Sequence, residues 1–182
     1  RVLAEAQFTE AHNIDLVMFK AKHPFEARDF AGLGRVREQL GAFRESASDY
    51  AKALEIDRKA FGEKHPQVAE DLRNLAHAQA HEAMHSSGSP SGIDLSQAKK
   101  DALSARQIDE ALLGSEHPNV AWDLVSLGHV CYAAGNQAEA ESALEQAKQI
   151  AEGAYGLRHP WVTDITGQWL DVRAGAPPGG IL

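Results

Sequence analysis

Gly62-Glu63-Lys64-His65-Pro66-Gln67-Val68-Ala69 decides the fold, because it recurs. Gly114-Ser115-Glu116-His117-Pro118-Asn119-Val120-Ala121 repeats it, and Gly156-Leu157-Arg158-His159-Pro160-Trp161-Val162 repeats it again. Lys20-Ala21-Lys22-His23-Pro24-Phe25 is a fainter first copy. The His-Pro pairs begin at 23, 65, 117 and 159, so they are spaced by 42, 52 and 42 residues. Self-similarity at a fixed period is the signature of a solenoid. Each copy reads as a junction between two helices: glycine supplies the left-handed C′ residue that ends one, and proline opens the next at its first position. Proline also drives the preceding histidine out of the α region. His65, His117 and His159 are therefore expected to be structural.

Working outward, residues 24 to 39 form the first helix of a unit, with Phe30, Leu33, Gly34 and Arg37 on its inward i, i+3, i+4, i+7 stripe. The same stripe recurs as Leu72, Leu75, Ala76 and Gln79, and as Leu124, Leu127, Gly128 and Cys131. Small residues at Gly34, Ala76 and Gly128 are expected to let two antiparallel helices approach closely. The second helices keep Ala53, Ala105 and Ala147 in one column, Ile56, Ile108 and Ile150 in another, and Phe61, Leu113 and Tyr155 in a third. Such helices can bury their faces only against neighbouring units.

The expected layout is a half repeat over 1–22, repeats over 23–64, 65–116 and 117–158, a capping helix over 159–173 and a flexible tail over 174–182. The middle repeat carries a loop insertion over 86–94, rich in serine, glycine and proline, and a longer surface loop costs little. The first helix, over 2–19, aligns with 44–61 and has no cap before it. Its apolar face around Phe8 is expected to be covered by further sequence or by a second copy. A start inside a helical pattern, without methionine, reads as a piece of a longer protein.

The 182 residues are 43% hydrophobic and 24% charged, with a formal net charge of −8. That balance suits a globular solenoid and argues against nucleic acid as the main partner. No run of about eighteen apolar residues exists to span a membrane. The single cysteine, Cys131, excludes an internal disulfide and fits a reducing, cytoplasmic compartment.

At this point the columns resemble the tetratricopeptide repeat. In the third unit Leu127, Gly128, Gly135, Ala140 and Ala147 fall on its small and apolar positions, and the 42-residue period with a Gly-x-x-His-Pro-x-Val-Ala junction is similar to the kinesin-light-chain type. Arg37 and Gln79 depart from it, standing where the family often has tyrosine, and Ser46 replaces a small alanine. The resemblance implies an all-α fold, an α-α superhelix of antiparallel helix pairs whose first helices line a concave groove for a peptide or partner protein. Carried over position by position, it implies groove residues Arg28 and Arg35 in the first unit, Arg73, Asn74 and His77 in the second, and Trp122, His129 and Tyr132 in the third. Arginines, histidines and two aromatics on one face suit an acidic peptide with an aromatic or apolar anchor.

His81-Glu82-Ala83-Met84-His85 also spells the H-E-x-x-H of zinc hydrolases. The repeat register already accounts for this helix, the third ligand of the longer form would fall at Ser91, and no strand candidate exists to align a substrate. The row His77, His81, His85 is at most an adventitious site for Zn or Ni. The reading is therefore a protein-interaction scaffold, not an enzyme, with no cofactor, no metal site, and no membrane or nucleic-acid partner.

Overall fold

In the computed structural model, residues 6, 7, 9, 10, 13, 14, 24–85 and 93–179 are described. They form seven long helices and no strand: α1 Pro24–Gln39, α2 Phe43–Phe61, α3 Pro66–His85, α4 Leu95–Leu113, α5 Pro118–Ala133, α6 Gln137–Tyr155 and α7 Pro160–Arg173. None of the described helices is long and apolar enough to cross a membrane. Each helix packs on the next, and α3 also packs directly on α5. The architecture is thus a superhelical stack in which α1, α3, α5 and α7 form the inner layer and α2, α4 and α6 the outer one. Of the expected N-terminal helix, the described residues Ala6, Gln7, Thr9, Glu10, Asn13 and Ile14 are helical, and Phe8 lies outside the described residues. Most of the insertion, 86–92, lies outside them too.

The two kinds of helix end are built differently. After α1, α5 and α7 the chain closes a Schellman turn: Ala42, Asn136 and Ala176 N–H groups reach back to the Arg37, Cys131 and Asp171 carbonyls, with Gly41, Gly135 and Gly175 at positive φ. The junctions after α2, α4 and α6 differ from the expected left-handed cap. Gly62, Gly114 and Gly156 have φ of 82°, 91° and 83° but ψ of 169°, 156° and 157°. That combination is open essentially to glycine alone. The following imidazole then caps the next helix: Nδ1 of His65, His117 and His159 accepts the backbone N–H of Gln67, Asn119 and Trp161 at 3.2, 3.2 and 3.3 Å. Phe61 and Tyr155, which end α2 and α6, stack on His65 and His159 at 4.4 and 4.7 Å between centroids.

Within each pair the small residues act as expected. A Cβ at Gly34 would lie 2.9 Å from the Tyr50 ring, and one at Gly128 would lie 2.8 Å from Leu144 Cγ. Ala76, Ala53, Ala105 and Ala147 are fully buried. Arg37, the misfit in the apolar stripe, reaches across its pair to the buried carboxylate of Asp49. The chain after α7 is tied down rather than loose over 174–179: Tyr132 Oη donates to the Gly175 carbonyl at 3.1 Å and Gly179 N–H to Asp171 Oδ2 at 3.2 Å.

These contacts set opposite expectations for two helical glycines. Gly128→Ala drives a methyl into a fully buried Leu144 side chain and should lower stability by about 1–3 kcal/mol. Gly153→Ala, at an exposed position with nothing within 4 Å, should raise it by about 0.5–1 kcal/mol. Urea unfolding of both variants checks the pair; equal effects would refute the close-approach account.

Candidate functional site

The inner face has two regions of distinct chemistry. On α1, Arg28 and Arg35 are exposed, with the Arg28 guanidinium 5.2 Å from the Phe25 ring centroid. One repeat on, the residues in register with Arg28 are Glu70 and then Trp122, and those in register with Arg35 are His77 and then His129. The two arginines therefore belong to inner-face columns. Trp122 stacks on Trp161 of α7 at 4.3 Å, and Tyr155 meets Trp161 edge-on at 5.7 Å. This places a half-buried aromatic shelf at the C-terminal end of the stack. Asn74 is half-buried on α3.

Between α3 and α5 the expected groove is instead closed. His129 is fully buried, as are Val125 and Ser126, and Ser126 Oγ donates to the Arg73 carbonyl at 2.9 Å. A peptide cannot reach His129 in this arrangement. The direct packing of α3 on α5 consumes the surface that the repeat pattern alone assigns to the groove. Tyr132 spends its hydroxyl on Gly175.

Arg73 has a structural task. Its guanidinium lies 3.2 Å from Asp123 Oδ1 and 3.7 Å from Asp109 Oδ2, both carboxylates being almost completely buried. Burial still raises both acids, Asp123 to about 7. The sequence reading missed this pair, although the register signals it. Asp109 and Asp123 lie one repeat on from Asp57 and Asp71, which meet in the same way between α2 and α3. There no arginine intervenes, since the position equivalent to Arg73 is Ala31. Burial, then the facing Asp57 carboxyl, push Asp71 up to about 8, with Glu70 adding to the rise and Arg73 opposing it. Asp57 is raised chiefly by burial, with Asp71 and then His65 opposing. Two facing buried carboxyls hold one proton between them.

The third feature is a cluster of imidazoles. His77, His81 and His129 each offer a ring nitrogen, and these three atoms lie within 4.8 Å of one another. His81 Nε2 is 3.1 Å from His129 Nδ1. His77 Nδ1 is 2.7 Å from Glu38 Oε1, and His129 Nε2 is 2.9 Å from Gln168 Oε1. Burial, together with the neighbouring rings, pushes His81 down to about 2 and His129 to about 3, so both are neutral. The hydrolase pattern dissolves in this geometry. His85 sends Nδ1 to the His81 carbonyl at 2.9 Å and its ring lies 4.9 Å from Phe43, while Glu82 is ion-paired to Arg44 at 2.9 Å. Cys131 is buried and its thiol pushed up to about 12, first by burial and then by Glu139, which suits a small apolar side chain and not a nucleophile.

Two family models, each described as a tetratricopeptide repeat, match residues 32–67 and 94–161. The human clustered mitochondria protein homolog is 26% identical over 135 residues, covering 74% of this chain and 10% of that protein. The chain thus spans about a tenth of its curated relative's length. Among solved structures, BtubC (BKLC) from P. vanneervenii superposes with a TM-score of 0.64 at 25% identity, covering 86% of this chain and 58% of that one. A putative kinesin light chain from Podosopora anserina, with nearly identical TPR-like repeats, superposes with a TM-score of 0.68 at 18% identity, over 94% of this chain and 78% of that one.

The Asp57–Asp71 pair makes stability depend on pH. Its folded pKa lies above the ordinary carboxylate value near 3.9, so folding takes up a proton, and this contribution is full below about pH 4 and lost as pH rises toward about 8. Asp71→Asn should remove that loss, so its stability advantage over wild type grows from pH 5 to pH 8. Urea midpoints across that range check it; a constant difference would rule out the shared proton.

Proposed function

Since the chain belongs to the tetratricopeptide-repeat family, with repeats of the kinesin-light-chain-like kind, we propose that its inner face binds an acidic segment of a partner protein. Repeats of this family are protein-interaction scaffolds and not enzymes. The observation that carries the finer reading is the pair Arg28 and Arg35, exposed two helical turns apart on inner-face columns of a chain with net charge −8. Arginine binds carboxylates bidentately. The Trp122–Trp161 shelf supplies the complementary half of the proposal, a platform for an aromatic or apolar anchor. Asn74 lies between the two in register. The partner is a protein or peptide, with no nucleic acid and no membrane in the scheme, and the lone buried Cys131 is consistent with a reducing, cytoplasmic setting.

Arg28→Glu combined with Arg35→Glu should weaken binding of acidic, aromatic-containing peptides on a peptide array by at least about tenfold, roughly 1.4 kcal/mol. The helical circular dichroism signal and melting temperature should hold. Unchanged binding would sink the assigned surface. Arg73→Ala is the contrasting control: it strands two buried carboxylates and should cost about 3–5 kcal/mol of stability.

A second reading is self-association through the N-terminal helix, favoured by Ile14, which is 56% exposed. Phe8→Glu should then convert a dimer to a monomer in light scattering; an unchanged molar mass would end that proposal.

A further inference from the structure

Four successive inner helices send polar side chains into one linked cluster: Glu38 from α1, His77 and His81 from α3, His129 from α5 and Gln168 from α7. We propose that His77, His81 and His129 form a structural site for a divalent transition metal of the zinc type, bridging two adjacent repeats.

The ligand set is the first reason. Three imidazole nitrogens are suited to Zn²⁺ and its neighbours, and unsuited to Mg²⁺ or Ca²⁺, which take oxygen. Zn–N bonds of about 2.0–2.1 Å at tetrahedral angles put ligand nitrogens about 3.3 Å apart. His81 Nε2 and His129 Nδ1, at 3.1 Å, already have that spacing. The remaining nitrogen lies within 4.8 Å of the others, so closure needs a shift of up to about 1.5 Å, and His77, on the partly exposed side of the cluster, is the ring with room to make it.

The outer contacts are the second reason. Metal-bound histidines typically donate their other N–H to a carboxylate or amide oxygen, which fixes the tautomer and aims the lone pair. Glu38 Oε1 takes that part for His77, holding Nδ1–H and leaving Nε2 as the lone pair. Gln168 Oε1 takes it for His129, holding Nε2–H and leaving Nδ1 directed at His81. Gln168 is itself fixed, its amide donating to Asp164 Oδ2 at 3.1 Å.

The third reason is what this arrangement leaves unsatisfied. His77 Nε2 and His81 Nδ1 are buried and have no hydrogen-bond partner. Orphaned buried polar atoms are uncommon and costly. A cation held by His81 Nε2 and His129 Nδ1 satisfies the His77 Nε2 lone pair, with the His81 proton then on Nδ1. Burial keeps His81 and His129 neutral, the form that ligates. Such a cation would lock α3 to α5.

The test uses the tag-free 182-residue chain, stripped with EDTA and titrated with ZnCl₂ alone. Calorimetry should give one Zn²⁺ per chain with a raised melting temperature, and Co²⁺ in its place should give the intense visible bands of a tetrahedral site. His77→Ala, at a half-exposed position, should abolish stoichiometric binding while the fold persists by circular dichroism. Glu38→Gln should weaken it about 10–100-fold, and His85→Ala should leave it unchanged. Absence of stoichiometric binding to the wild-type chain would overturn the proposal. So would loss of binding in His85→Ala with retention in His77→Ala, which would mark an adventitious i, i+4 pair.

Discussion

The junction imidazole is the contact on which the stack depends. A helical hairpin of this size cannot bury both of its faces, so it is stable only if the next hairpin arrives at a fixed angle. That angle is set in four residues: a glycine at φ of 82° to 91° with extended ψ, two spacers, and a histidine whose Nδ1 caps the helix that proline starts. The cap is unusual in its acceptor, since serine, threonine, aspartate and asparagine are the ordinary N-cap residues. An imidazole does the same hydrogen bonding and adds a flat face. Phe61 and Tyr155 lie against that face, so the cap joins the end of one helix to the start of the next through packing as well as hydrogen bonding. This also explains why Phe61 and Tyr155, which share a repeat column, are 44% and 46% exposed: they serve the junction.

Fixing the angle has a consequence for the inner layer. Once the hairpins are locked, α3 and α5 are pressed together, and inner-face side chains that an isolated repeat would show to water are excluded from it. His129, Ser126, Asp123 and Asp71 are all at most 1% exposed. Each interface meets the resulting desolvation cost differently. Between α1 and α2, Arg37 neutralises Asp49. Between α4 and α5, Arg73 lies between Asp109 and Asp123. Between α2 and α3 no arginine lies between Asp57 and Asp71, and burial with the facing carboxyl favours a retained proton instead. At the next equivalent step the pair becomes Ala151 and Ile165, and the problem disappears. One scaffold therefore carries three solutions to the same buried pair: a counter-ion, a proton and apolar substitution.

Most of the fold was legible because it depends on period. The His-Pro spacing fixed the helix count, and the small residues at Gly34, Ala76 and Gly128 fixed which faces meet. Both are one-dimensional signals. The inner face was less legible because the repeat rule assigns positions to a surface without saying how tightly neighbouring repeats close over it. Arg73 and His129 were assigned to a groove by register, and the packing of α3 on α5 turned one into a counter-ion and the other into a core residue. The carboxylate column had a signal available, Asp29, Asp71 and Asp123 in one register and Asp57 and Asp109 in another. It is easily passed over, because acids along a helix ordinarily read as a solvated face. The histidine cluster had only half a signal. His77 and His81 share a helix face one turn apart, but the third nitrogen comes from a residue 48 positions further on, and only the curvature of the stack brings it near.

The two halves of the inner face are consequently unequal in stiffness, and that bears on how a partner could be held. Around the histidine cluster the side chains are largely buried, linked by hydrogen bonds and drawn from four helices, so little rotamer freedom is left to lose. Arg28 and Arg35 stand on α1, whose inner side faces solvent where later inner helices face one another, and they keep the entropy of long exposed chains. A ligand engaging them must order those side chains, at about 0.5–1.5 kcal/mol each. The Trp122–Trp161 stack is already ordered and carries little such cost. In the proposed binding mode, affinity would come mainly from the aromatic end, with the arginines selecting charge and orientation. The histidine cluster joins α3 to α5 between these two regions through the His81–His129 contact.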